Sequence, residues 1–322
     1  MESPFLVPKD LMKPYLTYLS EAALNRYPNL GAEEVQQTLR SLMDIPNELG
    51  VLLGNGSDEL IQLMALACET DDTVLSVEPS FVMYEMIAKF TRLNYQGVLL
   101  DDNFEINLDG TLDEIKRTQP KLIFIAYPNN PTGNAFDRES IHTIINESEA
   151  LVVVDEAYYA YSEDSFLNEV ANYPNLVLLR TISKIGFAGL RLGLLIGSQD
   201  TIRELDKLRL PYNINILTQA SANFLLKEKD RIVANANIII NERQRLFDEL
   251  TAMASLKVFP SQANFLLIKV DDAKVLFEFL KANGILVKSF AMNPQLSNCI
   301  RVTVGDPSEN NEFLEKIKSY YG

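Results

Sequence analysis

Short apolar runs alternate with longer helical segments through the first two-thirds of the chain. These runs predict buried strands at residues 73–77, 121–126, 151–154 and 176–179. Helices are predicted at residues 32–43 and 57–68, with further helices between the later strands. Such alternation of strand and helix favours a doubly wound, mostly parallel sheet, so this part of the chain is predicted to form a large α/β domain.

The pattern changes in the last third. A long helical stretch covers residues 199–250 and is interrupted by Leu-Pro-Tyr-Asn at 210–213. Beyond it, a helix at 275–283 lies among short predicted strands at 256–258, 265–270, 286–287 and 299–304. These elements predict a smaller α+β domain.

The chain is therefore expected to have three parts. Pro4 and Pro8 keep residues 1–10 extended, and we assign them to an N-terminal arm that packs with the small domain. The predicted limits are residues 1–24 for the arm, 25–225 for the large domain and 226–322 for the small domain.

Composition excludes several classes of function. The net charge of −15 and the pI of about 4.6 argue against a nucleic-acid surface, which needs a basic face. Cys68, Cys299 and the sole histidine, His142, are too few for a disulfide framework, a metal cluster or a histidine-based triad. No apolar run reaches the ~18 residues of a membrane span, and no signal peptide precedes the predicted fold. We expect a cytoplasmic protein with no metal site and no membrane partner.

Polar side chains cluster where two neighbouring strands are predicted to end. Asp155 and Tyr158 follow one apolar run, and Thr181, Ser183 and Lys184 follow the next. The carboxyl ends of strands in an open α/β sheet form the crevice in which ligands bind. A lysine held among apolar residues and glycines can lose its proton and form a Schiff base with a carbonyl compound. An aldehyde with a phosphate and a basic ring nitrogen, pyridoxal phosphate, suits this set of groups.

A second segment suits the phosphate of such a ligand. Gly56, Ser57 and Asp58 follow an apolar run and begin a predicted helix, where free N–H groups and the positive end of the helix dipole attract phosphate. For this segment alone, an ordinary helix cap is the plainer interpretation. Arg191, seven residues after Lys184, adds a guanidinium that can bind phosphate through two parallel hydrogen bonds. Taken with the lysine motif, the segment favours phosphate binding.

In this order, the motifs resemble those of the fold-type I pyridoxal-phosphate-dependent aminotransferases, and most of all those of the histidinol-phosphate aminotransferase branch. The resemblance runs from Pro4 to Gly305. It implies the fold of the type I PLP transferases, with pyridoxal 5'-phosphate as the cofactor. It also implies that Lys184 carries the cofactor covalently and moves a proton during catalysis.

The resemblance gives roles to other residues. Asp155 would keep the ring nitrogen protonated, which makes the ring an electron sink. Tyr158 and Asn130 would bind the ring oxygen, and Tyr84 would stack on the ring. Without the resemblance, Asp155 would be interpreted as a helix cap and Tyr84 as an ordinary core residue. The phosphate end would involve Gly56, Ser57, Asp58, Thr181, Ser183 and Arg191.

Further residues concern the substrate and a second chain. Arg301 matches an arginine that binds the substrate's anionic group, beside Asn130. Lys288, thirteen residues earlier, stands where this branch usually has an arginine; it keeps the charge but loses the planar fork. Tyr27 matches a tyrosine that reaches the cofactor phosphate of the other subunit, which implies a homodimer with shared active sites. A turn aromatic is the plainer interpretation of Tyr27.

The reaction implied is transfer of an amino group from an amine to a 2-oxo acid. The branch implies L-histidinol phosphate and 2-oxoglutarate as substrates, in histidine biosynthesis. The nearest alternatives are an aromatic or broad-specificity aminotransferase and a threonine-phosphate decarboxylase on the same fold. Two others are a ligand-sensing regulator and an inactive protein with a truncated arm, because residues 1–4 stand where relatives carry Asn-Glu-Asn-Pro.

Overall fold

A seven-stranded sheet forms the centre of the computed structural model, which describes residues 3–290 and 293–322. In chain order its strands are β1 (Gly50–Asn55), β2 (Thr73–Glu78), β3 (Asn94–Leu99), β4 (Leu122–Ala126), β5 (Leu151–Asp155), β6 (Leu176–Thr181) and β7 (Leu192–Gly197). Across the sheet the order is β1-β7-β6-β5-β4-β2-β3. Neighbouring strands are parallel except around β7, which is antiparallel to both β1 and β6. The predicted large, mostly parallel sheet is confirmed.

Both faces of this sheet are buried, which explains the continuous apolar runs of its central strands. Successive residues of a strand face opposite sides. Accordingly, Val152 and Val154 belong to one apolar cluster, whereas Val153 belongs to another. Helices surround the sheet and the smaller domain: α1 (Lys9–Ser20), α2 (Glu33–Met43), α3 (Ser57–Leu66), α4 (Met83–Phe90), α5 (Leu108–Thr118), α6 (Arg138–Glu147), α7 (Gln199–Asp206), α8 (Ile216–Leu225), α9 (Lys229–Thr251), α10 (Ala273–Ala282) and α11 (Pro307–Tyr321).

A second, antiparallel sheet has its own apolar cluster near the C-terminus. Its strands are β8 (Lys257–Val258), β9 (Phe265–Lys269), β10 (Lys288–Ser289) and β11 (Cys299–Thr303), in the order β10-β11-β9-β8. Lys288 pairs directly with Arg301 across β10 and β11. The strand predicted at residues 286–287 was wrong by two positions, because Leu286 is exposed and pairing begins only at Lys288.

Two other predictions about the chain's course were wrong in part. The stretch at 199–250 is three helices, α7, α8 and α9, rather than one interrupted helix. The segment predicted to stay extended to residue 10 already becomes helical at Lys9, and Pro14 lies within α1. Leu11, Tyr15, Tyr18 and Leu19 do repeat at helical spacing, but Pro8 before the helix and Pro14 within it obscured this pattern.

The N-terminal segment contacts both parts of the chain. Tyr15 Oη lies 2.8 Å from Ser221 Oγ on α8, and Arg231 on α9 donates to Asp10 at 2.6 Å. Phe5 packs against the apolar cluster of the smaller sheet. Residues 1 and 2 lie outside the described residues, and the domain limits at 25 and 226 stay a prediction. Within the described ranges, no helix is both long enough and apolar enough to cross a bilayer.

Candidate active site

A cleft opens at the carboxyl ends of β5 and β6 and brings together most of the predicted site residues. The strands are parallel neighbours, with Asp155 in register with Leu179, so the segments that follow them reach the same edge of the sheet. The predicted residues that line the cleft are Ser57, Asp58, Tyr84, Asn130, Asp155, Tyr158, Thr181, Ser183, Lys184 and Arg191.

Asp155 lies at the buried end of the cleft. Tyr84 Oη donates a 2.7 Å hydrogen bond to Asp155 Oδ2, and the backbone N–H of Ala157 donates to Oδ1 at 3.0 Å. Burial raises the pKa of Asp155 to about 6, while these hydrogen bonds and the charge of Lys184 oppose the rise. Burial disfavours the charged form of this carboxylate, and a cationic ring nitrogen beside it would stabilise that form.

Lys184 is half-buried and lies beside the phenol ring of Tyr158, with 5.5 Å between Nζ and the ring centroid. A hydrogen bond fixes the backbone of Lys184, since Tyr161 Oη donates to its carbonyl oxygen at 2.6 Å. Tyr158 in turn packs edge-on against Phe265 of β9, 5.2 Å between centroids. The amine therefore projects from a fixed backbone toward the centre of the cleft.

Hydroxyl groups and a guanidinium form the opposite end of the cleft. Thr181 Oγ1 and Ser183 Oγ lie 2.8 Å apart, and Arg191 Nη2 donates to Asp58 Oδ2 at 3.2 Å. Gly56 has a φ of +78°, and a Cβ there would lie only 2.7 Å from Arg191 Nη2. The positive φ favours glycine here, and the absence of a Cβ lets the guanidinium approach the backbone at the start of α3. This end is built to receive an anion.

Asn130 and Arg301 connect the cleft to the smaller sheet. Arg301 Nη1 donates to Asn130 Oδ1, so the Nδ2 of the same amide points away from Arg301 and can donate to another group. The guanidinium lies 4.8 Å from the centroid of the Phe265 ring. Arg301 Nε is buried without a hydrogen-bond partner among the described residues. A buried cationic N–H that lacks an acceptor among the described residues is suited to bind an anionic ligand.

Two predicted residues lie outside the cleft of this single chain. Lys288 is exposed, but its pairing with Arg301 places both side chains on one face of the smaller sheet. Tyr27 is 80% exposed and stacks on Tyr212, with 4.6 Å between ring centroids. Among the described residues, neither Lys288 nor Tyr27 lines the cleft around Lys184.

Phe81 is a cleft residue that sequence reasoning did not single out. The ring of Tyr84, the predicted stacking residue, is fully buried against Phe124 at 4.7 Å, with the two rings nearly parallel. Phe81 meets Tyr84 edge-on at 5.5 Å and is less buried. Both aromatics occur in the one segment Glu-Pro-Ser-Phe-Val-Met-Tyr and both line the cleft, and only packing decides which ring is the more accessible.

Comparison with known proteins identifies the family. The family model for aminotransferase class I and II matches residues 2–317. The chain belongs to this family. The histidinol-phosphate aminotransferase of Vesicomyosocius okutanii subsp. Calyptogena okutanii is 63% identical over 321 residues, which are 100% of this chain and 91% of that protein. The enzyme of the same name from Neisseria meningitidis serogroup C is 44% identical over 326 residues, covering 100% of this chain and 89% of that protein.

Solved structures show the same fold as this aminotransferase. The histidinol-phosphate aminotransferase from Clostridium acetobutylicum superposes with a TM-score of 0.88 at 24% identity, over 99% of this chain and 97% of that one. The Sinorhizobium meliloti enzyme, solved in complex with pyridoxal-5'-phosphate, has a TM-score of 0.85 at 24% identity, over 99% and 89% of the two chains. The large mostly parallel sheet is thus that of the fold-type I enzymes.

Pyridoxal 5'-phosphate is the cofactor of this aminotransferase, and the cleft fits it. The buried carboxylate at one end suits the ring nitrogen, and the lysine at the centre suits the aldehyde. The hydroxyl groups and Arg191 at the other end, here called the anion cradle, suit the phosphate. The backbone is tightly packed against this cradle, because a Cβ on Gly193 would lie only 2.5 Å from the backbone carbon of Gly56.

Proposed function

We propose that this protein is a histidinol-phosphate aminotransferase. It would transfer the amino group of L-histidinol phosphate to 2-oxoglutarate, which yields imidazole acetol phosphate and L-glutamate. The observation that carries the proposal is the 63% identity, over the whole chain, to a protein of that name. The enzyme would serve L-histidine biosynthesis in the cytoplasm.

The chain's own groups would hold the cofactor at three points. Asp155 would keep a proton on the ring nitrogen, and Ser57, Thr181, Ser183 and Arg191 would surround the phosphate. Because Asn130 Oδ1 is occupied by Arg301, its Nδ2 is available to the ring oxygen, opposite Tyr158. Phe81, rather than Tyr84, would cover the face of the ring.

Proton movement would fall to Lys184. When bound, pyridoxal phosphate supplies an electron-withdrawing ring that stabilises negative charge on the substrate carbon next to the transferred nitrogen. Lys184 Nζ would take the proton from that carbon, since its backbone is anchored by Tyr161 and its amine points into the cleft. Asp155 would stay ionised throughout, with Tyr84 and Ala157 as its hydrogen-bond donors.

Recognition of the donor would depend on Arg301 and Lys288. A phosphate monoester carries about −1.5 to −2 charges at neutral pH. Arg301 Nε is a buried donor without a partner among the described residues, and Lys288 is its neighbour on the adjacent strand. Two cations on one face of the sheet favour a donor with a phosphate over a neutral one.

An exposed apolar patch supports a homodimer with shared sites. Tyr27 and Tyr212 stack on one another at the surface, and the large apolar side chains exposed in the same two segments are Leu24, Leu30, Leu208 and Leu210. Adjacent exposed apolar residues of this kind mark protein interfaces. A second chain that covers the patch would receive Tyr27 near its own anion cradle.

A donor comparison tests the proposed function. Purified protein with pyridoxal phosphate is assayed with 2-oxoglutarate and one of four amines: histidinol phosphate, histidinol, an aromatic amino acid or threonine phosphate. We expect glutamate to form, with the highest kcat/KM for histidinol phosphate. A higher value for the aromatic amino acids would indicate the aromatic aminotransferase, and release of carbon dioxide from threonine phosphate without glutamate would indicate the decarboxylase.

A further inference from the structure

A buried ion pair lies directly behind the cleft. Glu156 follows Asp155 in the chain, and Arg180 precedes Thr181. Their side chains are almost inaccessible, with Glu156 1% and Arg180 3% exposed. Arg180 Nε and Nη2 both donate to Glu156 Oε2, at 2.9 and 2.7 Å. Each charged residue is therefore the immediate neighbour of a residue that lines the cleft.

Ser165 and the start of the following segment complete the cluster. Arg180 Nη2 donates to Ser165 Oγ at 2.8 Å, and Ser165 Oγ donates to Glu156 Oε1 at 2.9 Å. The backbone N–H of Phe166 donates to the same Oε1 at 2.7 Å. The guanidinium also lies 4.7 Å from the centroid of the Tyr159 ring. The loop that leaves β5 is thereby fastened to β6.

The pair occupies the side of the sheet opposite to the cleft. Thr181 lines the cleft, and successive residues of a strand face opposite sides, so Arg180 points behind β6. Glu156 begins the segment after β5, and its backbone N–H donates to Leu179 O at 2.8 Å, which extends the ladder between the two strands. The contact thus links the two strand ends that carry the site.

A gain in folding stability does not by itself explain why the protein has such a buried ion pair. Removing two charges from water costs about as much as their attraction returns, and apolar residues of similar size are often equally stable. What a fully hydrogen-bonded pair does supply is a fixed geometry. Here that geometry relates the strand end bearing Asp155 and Tyr158 to the one bearing Ser183 and Lys184.

We infer that the Glu156–Arg180 pair is a positioning device for amino transfer, which fixes the distance between the ring-nitrogen carboxylate and the lysine. The inference rests on the proposed cofactor site, because one ring must meet Asp155 and Lys184 at the same time. A misplacement of about 1 Å at a reacting centre can cost on the order of a hundredfold in rate. A shift of β5 against β6 would misplace both groups together.

The test replaces the pair without leaving a stranded charge. The double variant Glu156→Met with Arg180→Met keeps apolar bulk behind the sheet, so it is expected to fold with a Tm within a few degrees of wild type. Its kcat should fall on the order of tenfold or more, with a smaller change in the KM of the amine. The midpoint of a pH titration of the bound cofactor's visible absorbance should also move. The control is Glu114→Gln with Arg117→Gln, an exposed pair on α5, which should change none of these.

Wild-type kcat and a wild-type titration midpoint in the double variant would overturn the inference, whatever its Tm. Should the double variant not fold, Arg180→Lys decides, because it keeps the buried charge and loses the planar guanidinium that holds Glu156 through two nitrogens. The expected result is a near-normal Tm with lowered kcat and a moved midpoint; a change in Tm alone, or no change, would overturn the inference. The titration needs no amine, so a failure to use histidinol phosphate would contradict the proposed function without affecting this result.

Discussion

Tyr84 Oη donates a 2.7 Å hydrogen bond to Asp155 Oδ2, and both side chains are buried. Burial raises the pKa of Asp155 to about 6, and the Tyr84 hydrogen bond counteracts that rise. The same phenol has its own pKa raised well above the usual value, first by burial and then by the neighbouring carboxylate. Tyr84 thus remains a donor across the working pH range, and it helps to keep Asp155 ionised.

Replacing Tyr84 with Phe should make the enzyme more sensitive to acid. Loss of a hydrogen bond that lowers the pKa of Asp155 lets the carboxylate take up a proton at higher pH. A hydrogen bond to a charged group is worth about 1.5–3 kcal/mol, so the acidic limb of the kcat/KM profile should move up by about one to two pH units. The measurement is the pH dependence of kcat/KM. Tyr127→Phe is the matched control, since Tyr127 donates to Asp164 away from the cleft; an unchanged acidic limb in Tyr84→Phe would count against this role.

Asp155→Asn should separate cofactor binding from turnover. Asn keeps the shape and can still accept from Tyr84, but it lacks the charge that pairs with a protonated ring nitrogen. We expect the cofactor to bind while kcat falls by about a hundredfold or more, the effect of losing ~3 kcal/mol of charged hydrogen bonding. Equilibrium cofactor titration and steady-state kinetics measure the two effects. Near-normal turnover would refute the electron-sink role.

Mixed dimers test whether Tyr27 acts across an interface. A Lys184→Ala chain is combined with a Tyr27→Phe chain, each of which is expected to be impaired alone. If Tyr27 serves the partner's site, one site of each hybrid dimer carries both changes and the other is intact, so activity recovers on mixing. If Tyr27 serves its own chain, no hybrid site is intact and mixing restores nothing. A monomer under assay conditions would contradict shared sites directly.

Lys288→Ala should weaken recognition of phosphorylated donors selectively. Loss of a charged contact predicts a drop in kcat/KM for histidinol phosphate worth ~1.5–3 kcal/mol at most, and the exposure of Lys288 favours the lower end. A dephosphorylated donor should be barely affected, and Lys288→Arg should be tolerated. Lys281→Ala, on the helix of the same domain, is the control. Equal losses for both donors would make Lys288 a structural residue.

The sequence predicted the sheet and the chemistry best where one local pattern decides the structure. The apolar runs before Asp155 and Thr181 each predict a buried strand, and the structure pairs these strands in parallel, so the residues that follow them meet at one edge. The glycine at 56 likewise follows from a local backbone requirement, since its φ of +78° favours glycine.

What the sequence did not reveal depends on contacts between distant segments. Whether Phe81 or Tyr84 has the more accessible ring in the cleft is decided by packing of Tyr84 on Phe124, forty residues away. The pairing of Glu156 with Arg180 needs the register of β5 and β6, which no single run of residues encodes. The first helix was missed because Pro8 directly precedes it and Pro14 lies within it.

The cleft at the ends of β5 and β6 is expected to hold pyridoxal phosphate covalently on Lys184. Borohydride reduction of the cofactor-saturated protein, followed by proteolysis and peptide mapping, locates the attached cofactor. We expect a pyridoxyl label on the peptide that contains Lys184, and no label in Lys184→Ala protein that retains its fold. A label on another lysine, or none on saturated wild-type protein, would contradict it.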